Sequence, residues 1–127
     1  MQRLLARVAL RAVLIASFFL AAVRWLLIGH YPENLAVLVL AQTLHAATFG
    51  SFHATAIQLV HRFFTGRHQH RGQAIYGSLS FGIGGAAGSL YSGHVWATLG
   101  PTVAFNIAAA SAGLAFLVAY FLIKPKT

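Results

Sequence analysis

The sequence predicts an all-α membrane protein with four transmembrane helices. Three observations predict it. Asp, Glu, Lys and Arg together make up 8% of the 127 positions, against about 25% in an average soluble domain. Hydrophobic residues make up 58%, and a chain this small exposes too much of its surface for so few charges to cover. The apolar residues also gather into four long stretches separated by short polar segments. This pattern excludes an ordinary cytosolic enzyme. It also excludes disorder, which needs low hydrophobicity and high charge. The absence of Cys excludes disulfides, thiolate metal sites and a cysteine nucleophile.

The first span covers residues 12–28. Arg24 interrupts it near its end, where a long cationic side chain can snorkel to the interface beside Trp25. The second span, 35–60, has His45 and His53 as its only ionisable side chains. It exceeds the roughly 20 residues that cross the hydrocarbon core, so it should tilt or kink. The third, 74–96, is rich in glycine, and the fourth, 102–123, follows Pro101. Inside lipid the backbone must bond to itself, which leaves helices or a closed barrel. The stretches lack strict alternation and are too long for barrel strands. The connections Gly29–Asn34, His61–Gly72 and Ala97–Pro101 are short, and no linker appears, so 1–127 forms a single membrane domain. Arg3, Arg7 and Arg11 before an apolar run suit a signal peptide. Three further apolar spans follow, however, where a soluble domain would be expected.

Charge sets the expected orientation. The net charge is +8, from nine basic residues and one acid, Glu33. Arg3, Arg7 and Arg11 lie before the first span, Arg62, Arg67 and Arg71 lie between the second and third, and Lys124 and Lys126 lie in the tail. With four spans these regions share one side, and the positive-inside rule makes it cytoplasmic. Both termini are then cytoplasmic and the protein is integral to the inner membrane. The same dispersal argues against nucleic-acid binding, which needs a basic patch. The lipid bilayer is the first expected partner.

The second span also carries most of the polar side chains. At 100° per residue, Gln42, His45, Phe49 and His53 fall within about 80° of one another. Intramembrane polar groups are costly and face a bundle interior or a wet cavity. The stripe therefore reads either as a substrate or proton pathway, or as interhelical hydrogen bonding that only holds a bundle together. His45 and His53 are the candidates for proton coupling, since imidazole titrates near neutral pH and no Asp or Glu lies in any span. They sit about 12 Å apart along a helix, too far to share a metal ion. His68-x-His70 is only a two-ligand fragment, so no metal and no cofactor is expected. Arg24 is a further candidate, as a cation at the outer mouth of a cavity. With one carboxylate, in a loop, no triad or carboxylate pair exists, so the chain is not expected to be an enzyme. In the third span, Gly84-x-x-x-Gly88 has the small-residue spacing of close helix packing. Gly82-x-Gly84-x-x-Ala87 imitates a dinucleotide fingerprint but lacks the strand that motif requires.

The string Gln42-Thr-Leu-His45-Ala-Ala-Thr-Phe49-Gly50 resembles a known family. So do Arg24-Trp25, Arg71-Gly-Gln73-Ala-Ile-Tyr76 and Gly82-x-Gly84-Gly-Ala-x-Gly88-x-x-x-Ser92-Gly93. Together they resemble the C-terminal portion of major facilitator superfamily transporters, nearest the phenylpropionate permease branch beside the nucleoside:proton symporters. The resemblance implies that the spans correspond to helices nine to twelve of a twelve-helix fold. It implies proton symport of a small aromatic or anionic solute, with Gln42, His45, Phe49, His53 and Arg24 lining the cavity. Alternating access needs two bundles rocking about a midplane site. The missing N-terminal helices, or self-association, are therefore expected partners. A reading from another class is a small four-helix membrane protein without transport of its own, which associates with partner helices through Gly84 and Gly88.

Overall fold

The computed structural model describes residues 2–123, with side chains from residue 9. The side chains of Arg3 and Arg7, and the tail lysines Lys124 and Lys126, lie outside the described residues. Helix α1 spans Gln2–His30 and α2 spans Leu35–Phe63. A single 3₁₀ turn, Gly66–His68, leads into α3, Gln69–Gly77. A π-helical segment, Ser78–Ile83, joins α3 to α4, Gly84–Leu99, and α5 spans Pro101–Leu122. No strand occurs among the described residues.

Local chemistry sets the boundaries. The Asn34 side chain accepts the Val37 N–H at 3.2 Å and caps α2, satisfying one of the four free donors of a helix start. Gly100 ends α4 at φ +91°, a conformation that costs an L side chain dearly. Pro101 then opens α5 at a position where its missing N–H is no loss. The helices run past the apolar stretches because polar residues continue the backbone ladder beyond the hydrocarbon. The basic connection between the second and third spans therefore shrinks to residues 64–68, since α2 continues to Phe63 and α3 starts at Gln69.

Three of the four expected spans are single helices long and apolar enough to cross a bilayer: Ala9–His30, Leu35–Phe63 and Pro101–Leu122. The third is a composite rod, Gln69 to Leu99, whose regular turns are interrupted at Ser78–Ile83. There the Gly84 N–H bonds back to the Leu79 carbonyl, five residues earlier. That wide turn brings the Leu79 carbonyl within 3.1 Å of where a Gly84 side chain would begin. Gly84 thus has a local reason to be glycine that its spacing from Gly88 did not reveal.

Helix α1 packs between α2 and α5. Against α5, Gly29 admits Phe105 so closely that a Cβ on Gly29 would lie 2.8 Å from the Phe105 Cβ. Trp25 stacks on the same ring at 5.7 Å, and Arg11 Nη2 donates to the Tyr120 carbonyl at 2.8 Å. Against α2, Ser17 and Ser51 share a hydrogen bond of 3.0 Å, and Phe18 meets Phe52 at 5.3 Å. The composite rod touches α2 through α3 and α5 through α4, and it makes no close backbone contact with α1 among the described residues. In lipid no hydrophobic force pulls helices together, so close approach and hydrogen bonds hold the bundle. The close approaches fall at Gly29 and Gly72, the latter under the Phe64 ring, whereas a side chain on Gly88 would meet nothing within 4 Å.

Gly29→Ala should cost about 1–3 kcal/mol in equilibrium unfolding from detergent micelles, the range for overpacking a tight contact. Gly88→Ala should change stability little. Equal losses at both positions would contradict this packing.

Candidate functional site

Helix α2 presents the predicted stripe, and the structure divides it. Three of its hydroxyls bond within their own helix: Thr43 Oγ1 donates to the Val39 carbonyl at 3.0 Å, Thr48 Oγ1 to Leu44 at 2.7 Å, and Ser51 Oγ to Ala47 at 2.6 Å. Such back-bonding leaves these groups little to offer a ligand. The imidazoles are not absorbed in this way. Rings four residues apart lie one above the other on a helix, so His45 meets Phe49 at 5.5 Å, and Phe49 stacks on His53 at 6.1 Å with planes only 4° apart.

Two aromatic residues from the composite rod pack against the His53 end of this ladder, while His45 and Phe49 stay exposed. Phe81, in the π segment, stands edge-on to His53 at 5.6 Å and to Phe49 at 6.4 Å. Tyr76 lies 6.2 Å from His53 and 6.0 Å from Phe81. The Tyr76 hydroxyl and His53 Nδ1 are both buried without a hydrogen-bond partner. Unmet buried polar groups carry a full desolvation cost, so these two mark a place where water or a ligand group is needed.

On its other side, the ladder borders a cavity of about 110 Å³ between α1 and α2. Its walls include Arg24 and Phe18 of α1, and His45 and Phe49 of α2. Arg24 is only 7% exposed, so it does not snorkel to the surface. Its guanidinium lies over the Trp25 ring at 3.9 Å, and its Nε has no hydrogen-bond partner. Glu33, the one acid of the chain, is in the loop after α1 and lines a different depression with His30 and Tyr31. A buried cation without a carboxylate is an expensive arrangement, and an anion in the cavity would relieve it. The cavity thus offers a fixed positive charge, an imidazole and three aromatic walls, Phe18, Phe49 and Phe52.

Of the five predicted cavity residues, Arg24, His45 and Phe49 come together. His53 joins them through the Phe49 ring, at the contact with the composite rod. Gln42 stands apart, in an open groove with Leu35, Leu38 and Val39. The two small residues Gly84 and Gly88 line no part of this cavity. Sequence reasoning missed Tyr76 and Phe81 as site residues. Tyr76 was visible at the end of the Arg71-Gly-Gln73-Ala-Ile-Tyr76 motif. Phe81 was not, because the π segment shifts its direction away from that of a regular helix.

The family model described as the MFS_1 like family matches residues 1–107. The chain therefore belongs to this family of the major facilitator superfamily, whose members are membrane transporters and not enzymes. No curated protein and no solved structure matches the chain.

Because Arg24 is a buried charge without a partner, Arg24→Leu should stabilise the folded chain in micelles, by about 1–2 kcal/mol on the scale of apolar replacement of buried charges. Destabilisation of similar size would show that Arg24 serves packing instead.

Proposed function

We propose that this chain forms the cavity-lining part of a proton-coupled secondary transporter for a small aromatic anion, of the phenylpropionate permease type. In this reading Arg24 binds the carboxylate and Phe49, with Phe18, stacks on the ring of the solute. His45 faces the same cavity and takes part in binding or carries the proton. His53, beside Tyr76, passes the proton along the ladder through intervening water. Gln42 contributes only when further helices cover its open groove. The protein lies in the inner membrane with both termini cytoplasmic, as the arginines of the second loop suggest. Alternating access requires a second bundle, which we assign to additional helices or to further copies of this chain.

The observation that carries this reading is the isolated Arg24 charge facing His45 and Phe49 across one cavity. It favours an anion, and the rings favour an aromatic one. A second reading, association without transport, draws on the open Gly88 position and the exposed rod around it. Crosslinking in membranes decides that reading, which expects an oligomer lost in Gly88→Leu.

Uptake of radiolabelled 3-phenylpropanoate, in cells that also supply the remaining helices, tests the transport reading. Arg24→Gln should weaken uptake more than tenfold, because losing one partner of a buried charge pair costs about 2–5 kcal/mol. His45→Ala should flatten the pH dependence of uptake between pH 5 and 8. Normal uptake in Arg24→Gln, or an unchanged pH profile in both His45→Ala and His53→Ala, would remove the mechanism.

A further inference from the structure

The corner between α2 and α3 is built more tightly than a five-residue connection needs. Phe64 lays its ring on Gly72, where even a methyl group would collide with it. His61 Nε2 and Gln73 Oε1 bond at 3.2 Å across the same corner. Gly66, at φ +59°, turns the chain in a conformation that glycine adopts without penalty. The 3₁₀ turn Gly66–His68 then runs directly into α3. These contacts fix the backbone while Arg67, His68 and Arg71 stay exposed on the outer side.

The three basic side chains line one depression of about 430 Å³. Among the described residues, neither Arg67 nor Arg71 has a hydrogen bond or an acidic neighbour. The sole acid, Glu33, is in the loop at the opposite end of α2. Guanidinium groups with open donors, carried on a fixed backbone, match the oxygens of a phosphate, which accepts paired N–H bonds. Four residues before Arg67, Phe63 closes α2 with 83% of its surface exposed. An exposed apolar ring at the end of a membrane helix is buried when it enters the boundary between headgroups and acyl chains.

We propose that Arg67, His68 and Arg71 form a binding site for the phosphate of an anionic membrane lipid, with Phe63 against its acyl chain. The exposed ring favours a lipid over free phosphate, which has no use for an apolar neighbour. The site depends on the membrane setting and not on transport. It therefore stands or falls separately from the cavity between α1 and α2.

The test uses the full chain in neutral detergent micelles, titrated with dioctanoyl phosphatidylglycerol, dioctanoyl phosphatidylcholine or inorganic phosphate, with binding read by native mass spectrometry. Phosphatidylglycerol should bind in preference to phosphatidylcholine. The paired substitution Arg67→Ala with Arg71→Ala should weaken it about tenfold or more, given the contribution of each basic residue at an anionic surface. The corresponding pair of Arg→Lys changes, which keeps the charge and loses the fork, should retain part of the affinity. Arg62→Ala, in the last turn of α2 and outside the depression, should have little effect. Equal loss in Arg62→Ala would overturn the site in favour of general charge attraction. Inorganic phosphate saturating the depression at lower concentration than the lipid would overturn the lipid assignment. Unchanged lipid binding in both paired variants would overturn the proposal outright.

Discussion

A lipid interior offers no hydrogen bonds, and this constraint shapes each level of the structure. Backbone groups must pair within their own segment, so the chain is helical. Helix ends need partners, which Asn34 and the Gly100–Pro101 junction provide. Side-chain hydroxyls face the same requirement, and Thr43, Thr48 and Ser51 meet it by bonding to carbonyls of the preceding turn. What remains among the described residues is a small set of groups that the fold does not satisfy: the Arg11 Nε, the Arg24 Nε, His53 Nδ1 and the Tyr76 hydroxyl. Arg11 lies apart, against Tyr120 of α5; the other three are grouped around one aromatic ladder, and that grouping makes it a candidate for solute handling.

The ladder itself follows from helix geometry. His45, Phe49 and His53 are spaced four apart, so their rings stack along one face of α2. Phe49 separates two environments, with the Arg24 cavity on one side and the Tyr76–Phe81 contact on the other. Phe81 occupies a π-helical turn within a glycine-rich stretch. Irregular turns of this kind often occur where a helix serves a function beyond support.

Much of the fold was legible in the sequence, because the constraint that selects helices also writes long apolar stretches. The ladder was legible for the same reason, since its residues repeat on a single helix. The remainder depends on contacts between segments. Gly84 read as a packing residue because it lies four positions from Gly88, and a Cβ there would also crowd the Leu79 carbonyl at 3.1 Å. The closest helix approaches use Gly29 and Gly72, which belong to no repeating pattern. Arg24 read either as a snorkelling anchor, because Trp25 follows it, or as a cation at a cavity mouth, and the position of α2 beside it shows the second arrangement. Gln42 lies near the helical phase of His45, but it faces an open groove with Leu35, Leu38 and Val39, away from the Arg24 cavity that His45 lines.

The central claim is that the α2 stripe borders water and the opposite faces of the bundle border lipid. The chain has no native Cys, so single cysteines can report each position. In permeabilised membranes, a hydrophilic maleimide should label His45→Cys and His53→Cys, and should leave Leu40→Cys and Leu117→Cys unlabelled. Labelling at Leu40→Cys and Leu117→Cys with none at His45→Cys and His53→Cys would place the stripe in lipid and contradict the account.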